Sequence, residues 1–167
     1  RNKFLEFLYL EEKFDLLMEN YYEYENEILR AALRYLVFPQ DFFSLAQDAR
    51  LSITRRLVNL LSTCRLYLDQ SSHHISNALG KNSKIKTDHK VAKSEEYDSN
   101  FSYRVLEELR NHTQHKGYPF HVITFHSQVV EKEPGAPVVT TIIPKLAIAE
   151  LQEEGGFKKL VLDELIE

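Results

Sequence analysis

Residues 46–80 read AQDARLSITRRLVNLLSTCRLYLDQSSHHISNALG, and within them Ala46, Ala49, Ile53, Leu57, Leu60, Cys64, Leu68, Ile75 and Leu79 form the apolar set. Steps of three, four and seven put these side chains on one face of an α-helix. Gly80 supplies a stop, because a left-handed C-cap costs glycine little. At about 1.5 Å per residue such a helix approaches roughly 60 Å if unbroken, so a kink is expected near Ser71 and Ser72. Upstream, Phe14, Met18, Tyr21, Ile28, Ala32 and Leu36 repeat the pattern from Phe4 to Phe38, with acids between them. Pro39 ends this first helix and Asp41 is placed to cap the second. Two long amphipathic helices therefore set the fold as mainly α, an elongated helical bundle.

Downstream the pattern changes twice. Residues 81–93 hold five lysines (Lys81, Lys84, Lys86, Lys90, Lys93) against Asp88, with no apolar period, and are expected to form a basic loop. A third helix is expected from Lys93 to Lys116, with Tyr97, Phe101, Val105, Leu106 and Leu109 facing inward, and Gly117 and Pro119 stopping it. Residues 120–143 then read as a two-stranded antiparallel hairpin, β-branched and aromatic on either side of Pro134-Gly135. Beyond Leu146 a short helical turn, the Gly155-Gly156 break and Phe157, Leu160, Val161 and Leu165 predict a terminal helix. The whole, 1–167, reads as one domain.

The chain has 167 residues, 43% hydrophobic and 28% charged, with a net charge of −4. That composition is globular, and no run of 18 apolar residues suggests a membrane span. With one cysteine, Cys64, an intrachain disulfide framework is excluded and a reducing, cytoplasmic setting is expected. The acidic balance excludes coating of nucleic acid through bulk positive charge, so any such contact must rest on a local site. Five glycines leave little material for a phosphate-cradling loop, and Walker, dinucleotide and GxSxG patterns are absent. Cys64, on an apolar helix seam, reads as packing rather than as a nucleophile.

Four of the seven histidines, His112, His115, His121 and His126, fall in one short stretch around the end of the third helix. There the sequence runs Arg110-Asn111-His112-Thr113-Gln114-His115. Asn111 and His115, four apart, share a helix face, and Arg110 and Gln114 share the next, so Arg, Asn and His can border one shallow site. An arginine that stays charged can hold a phosphate while a histidine moves protons near neutrality. His112 shares a face with His115 and could assist. Arg55 and Asn59 on the second helix, also four apart, share a face that could complete a phosphate-binding groove opposite Arg110. No metal set is fixed by the spacing, so no metal or cofactor is expected. His73 and His74 read as surface residues, and His121 and His126, an odd offset apart, as facing opposite sides of a strand.

The Arg110-x4-His115 stretch with Asn111 resembles the R-x4-6-H motif of the HEPN superfamily (higher eukaryotes and prokaryotes nucleotide-binding), and the long helices before it are similar in order. The resemblance implies a metal-independent endoribonuclease acting through the 2′-hydroxyl, with Arg110 and His115 catalytic and Asn111 supporting. It implies a homodimer with two motifs across a cleft, RNA as substrate, and a setting in toxin-antitoxin or defence systems with an antitoxin or regulatory protein as partner. The hairpin lies outside the minimal helical fold of that superfamily and reads as an insertion before the last helix. The alternative within the resemblance is a catalytically inactive module for dimerisation, nucleotide binding or protein interaction.

Overall fold

The computed structural model describes residues 2–38, 42–130 and 136–166. Two long helices, α1 (Lys3–Val37) and α2 (Phe42–Leu79), form an antiparallel pair, with Glu6 against His74, Phe14 against Tyr67, Glu23 against Arg56 and Arg34 against Asp48 along its length. Asn2 caps α1, its side chain accepting from the Phe4 amide. The expected roles of Pro39, Asp41 and the Pro134-Gly135 turn lie outside the described residues. α2 keeps helical hydrogen bonding through Ser71 and Ser72, where a kink is expected, and ends at Gly80 with φ +97°, the left-handed stop read from the sequence.

The segment expected as a basic loop is largely helical. α3 (Lys84–Ser99) begins at a Ser83 cap, whose hydroxyl accepts from the Lys86 amide. Lysine is a good helix former, so a helix with a solvated face needs no apolar period, and α3 buries no residue. It is tied to α2 by His89, between Ser71 and Ser72, and by Lys93, whose ammonium donates to the Leu68 carbonyl.

The expected helix over Lys93–Lys116 is in fact two, α3 and α4 (Phe101–His115), divided at Asn100. Extended backbone at Asn100 lets its side chain accept from the Tyr103 amide and cap α4. Arg104 reaches back to the Tyr97 and Asp98 carbonyls at the end of α3. Both new helix ends are thereby satisfied locally.

Strands β1 (Val122–Val129) and β2 (Val138–Lys145) form the expected hairpin, with Phe125 opposite Ile142 and Ser127 opposite Thr140. Short helices α5 (Ile148–Glu154) and α6 (Lys159–Ile166) follow. One core joins these parts: Ala31 of α1, Ala49, Ile53, Leu57 and Leu61 of α2, Leu109 of α4, Phe120, and Ile142 of β2. No helix among the described residues is long and apolar enough to cross a membrane.

Candidate functional site

A cleft of about 690 Å³ lies between the middle of α2 and the end of α4. From α2 it receives Leu51, Thr54, Arg55, Val58 and Asn59, which follow one another on a single helix face. From the last turn of α4 and the segment after it come Thr113, Gln114, His115, Lys116, Gly117, Tyr118 and Pro119. The chain passes close to the C-terminal segment at Gly117, where a Cβ would stand 3.0 Å from Glu154 Oε2.

The chemistry of this lining is one-sided. Arg55, His115 and Lys116 can carry positive charge, Thr54, Asn59, Thr113 and Gln114 are neutral and polar, and no Asp or Glu contributes. Arg55 makes no ion pair among the described residues, whereas Arg56 next to it is bound to Glu23. The Thr54 hydroxyl is buried on the cleft wall without a hydrogen-bond partner among the described residues. Tyr118 is 57% exposed and Arg50 lies over its ring, 5.8 Å from the centroid. Through Leu51 and Arg55 the cleft adjoins a second depression bordered by Arg30, Arg34, Asp48 and Ser52, where Arg34 stands 3.7 Å from Asp48.

The expected site is thus brought together in part. His115, Arg55 and Asn59 line the same cleft. Arg110 and Asn111 do not: Arg110 is half-buried, donates from Nη1 to Asn111 Oδ1 at 3.0 Å, and lines a separate cavity facing α1 and α2. Five residues at about 100° each set Arg110 and His115 roughly 140° apart around α4, so one helix cannot aim both at one small ligand. His112 is removed from the substrate-binding set, because its side chain is fully buried. Its Nε2 stands 2.9 Å from Glu154 Oε2, turned out of hydrogen-bond alignment, and its ring packs on Phe157.

His112 belongs instead to a polar stripe along α4. Arg104, Glu108 and His112, each four residues from the next, meet Glu164, Lys158 and Glu154 of the returning C-terminal segment in reverse order. The Tyr97 hydroxyl, then Glu108, hold the Lys158 ammonium above its ordinary pKa. Beyond α4, His121 stands 3.2 Å from Glu150. His74, expected at the surface, is buried and hydrogen-bonded to Glu6 at 2.8 Å, while His73 and His126 are exposed. Among the described residues no group of three or more His, Cys, Asp or Glu is placed to hold a metal ion.

Lys116, Gln114 and Tyr118 were missed as cleft residues. Their signal in the sequence was position, since each flanks the Gly117 stop and must lie at the helix end. No family model, no curated protein and no solved structure matches this chain.

Proposed function

We propose that the chain binds single-stranded RNA in the cleft between α2 and the end of α4. The observation that carries this reading is a cleft with Arg55, Lys116 and His115 on its walls and no carboxylate, in a chain of net charge −4. Cations on a cleft wall attract phosphate and release its counterions. Tyr118 offers a stacking surface, and Asn59 and Gln114 offer amides that can meet base edges, as single-strand recognition requires. The experiment is fluorescence anisotropy with a short labelled RNA in chelator. Arg55→Ala and Lys116→Ala each weaken binding across all sequences, and unchanged affinity in both overturns the reading.

A second reading is metal-independent cleavage of HEPN type, favoured by Arg55 and His115 sharing the cleft. Arg55 rather than Arg110 then neutralises the phosphate, and His115 exchanges a proton with the 2′-hydroxyl or the leaving 5′-oxygen. Acid–base action of this kind contributes about 10² to 10⁴ in rate. His115→Ala separates the two readings: lost cutting with retained binding supports cleavage, and an uncut substrate with the parent protein leaves a binding module.

The proposed partner besides RNA is a second copy. α1 is apolar on the side away from α2 as well: Tyr22, Leu29, Leu33 and Leu36 follow at steps of seven, four and three and are 59%, 66%, 62% and 44% exposed. Sedimentation of the parent as a dimer, and of Leu29→Glu/Leu33→Glu as a folded monomer, supports this; a monomeric parent excludes it.

A further inference from the structure

A second group of cations lies beside the cleft. The depression that shares Leu51 and Arg55 with it has a volume of about 270 Å³ and is lined by Arg30 and Arg34 of α1 and by Asp48, Leu51, Ser52 and Arg55 of α2. Arg30 and Arg34 are four apart, and positions 48, 51, 52 and 55 follow one another on a single face, so the depression is a stretch of the groove between the two long helices. Leu51 and Arg55 stand where α2 divides this groove from the cleft.

The three arginines are held differently, and all of them reach solvent. Arg30 donates from Nε and Nη2 to Glu27 at 3.1 and 2.6 Å, while its Nη1 has no partner among the described residues and its side chain is 57% exposed. Burial opposes the charge of Glu27, but hydrogen bonds from Arg30 and then Ser52 keep its pKa below the ordinary value, so this carboxylate anchors Arg30. A guanidinium fixed along one edge presents its other edge in a set direction. Arg34 stands 3.7 Å from Asp48 without a hydrogen bond, both about half exposed, and such a pair contributes little. Arg55 is unpaired among the described residues and lines both spaces. Asp48 is the single carboxylate of the lining. A phosphate oxygen, which forms a charge-assisted bond with the arginine fork, displaces so weak a partner.

We propose that this groove is a second phosphate subsite for RNA: a strand leaving the cleft crosses α2 at Leu51 and Arg55 and sets its next phosphates on Arg34 and Arg30, with Asp48 opposing occupancy. The inference rests on the reading of the cleft as an RNA site, and it adds a direction for the strand and a site longer than the cleft. Each phosphate so held adds roughly −0.7 to the salt slope set by the cleft's own cations.

The test uses two labelled RNAs of mixed sequence, a trinucleotide that fits the cleft alone and a nonanucleotide, titrated with the full chain by fluorescence anisotropy in chelator at fixed salt. The parent is expected to bind the nonanucleotide more tightly. Arg34→Gln is expected to weaken the nonanucleotide about fivefold, the loss of one charge-assisted bond at a half-exposed site, and to leave the trinucleotide unchanged. Asp48→Asn releases Arg34 and removes a repelling charge, so it is expected to strengthen the nonanucleotide about twofold or more, and the trinucleotide less. A gain of affinity is not a product of misfolding, which makes this variant the control for the other. Arg55→Ala is expected to weaken both RNAs. An Arg34→Gln protein that binds the nonanucleotide as the parent does, an equal loss for the two lengths, or an Asp48→Asn protein without a gain each overturns the subsite and leaves the cleft reading standing. A parent that binds neither RNA overturns both.

Discussion

At position 108 a carboxylate 2% exposed accepts from the Lys158 backbone amide at 3.1 Å and stands 3.0 Å from the Lys158 ammonium. The ammonium itself is largely exposed and contributes little as an ion pair, so the amide bond is what Glu108 chiefly secures. Removing the acceptor strands a partly buried N–H, and Glu108→Ala is expected to destabilise by about 1–3 kcal/mol in urea unfolding. Glu108→Gln, which keeps an acceptor oxygen, should lose less; equal losses in the two variants would show that charge rather than acceptance matters. Four residues on, His112 is equally buried, and this contrast shows the limit of reading single residues. The sequence gives the histidine on a helix that ends at Gly117, but its burial comes from Glu154 and Phe157, more than forty residues later. His115, only three positions further, stays exposed, since it lines the open cleft rather than the returning segment.

Among the elements, α3 shows how little apolar content a docked helix needs. Its tie to α2 runs through His89, with Ser71 Oγ 3.0 Å from Nε2 and Ser72 Oγ 3.4 Å from Nδ1. Burial, and then the charge of Lys93, lowers the pKa of His89 below its ordinary 6.5. A histidine with a folded pKa below its unfolded one favours the fold while neutral. That contribution is complete above pH 6.5 and is lost as pH falls through the lower folded value. Hydrogen exchange of α3 amides is therefore expected to accelerate relative to α2 on acidification, and His89→Gln should flatten the difference; an α3 whose exchange tracks α2 at every pH contradicts this. The hairpin is anchored differently, by Ile142 at 6% exposure in the common core and by Phe125 against Tyr35 and Phe42. Ile142→Ala should cost about 2–5 kcal/mol, measured by denaturant midpoint. The strands were legible because β-branched runs and a turn signal are local, whereas the break at Asn100 was not, since a lone Asn inside a helical pattern looks tolerable until Arg104 caps the other side.

For the molecule as a whole, the charge distribution makes the RNA-binding reading quantitative. With two permanent cations in the cleft, Arg55 and Lys116, the logarithm of RNA affinity is expected to fall with that of salt with a slope of about −1.4, from roughly −0.7 per neutralised phosphate of a single strand. A slope several times steeper would mean that RNA wraps a wider surface, with the lysines of α3 taking part. The sequence by itself determined the two long helices, the Gly80 stop, the hairpin and the interruption before the last helix, because periodicity, caps and turn residues act within a few positions along the chain. It also singled out Arg55 and Asn59, polar residues that interrupt the flank of an apolar seam, and His115, from the Arg110-x4-His115 stretch in a helix's last turn. Tertiary structure alone decided which of them share a space: the rotation of α4 turns Arg110 toward α1 and α2 while His115 and Arg55 line one cleft, and the C-terminal segment buries His112. Direction around a helix follows from spacing, but what lies in that direction depends on where distant segments pack, and that information is spread over the whole chain.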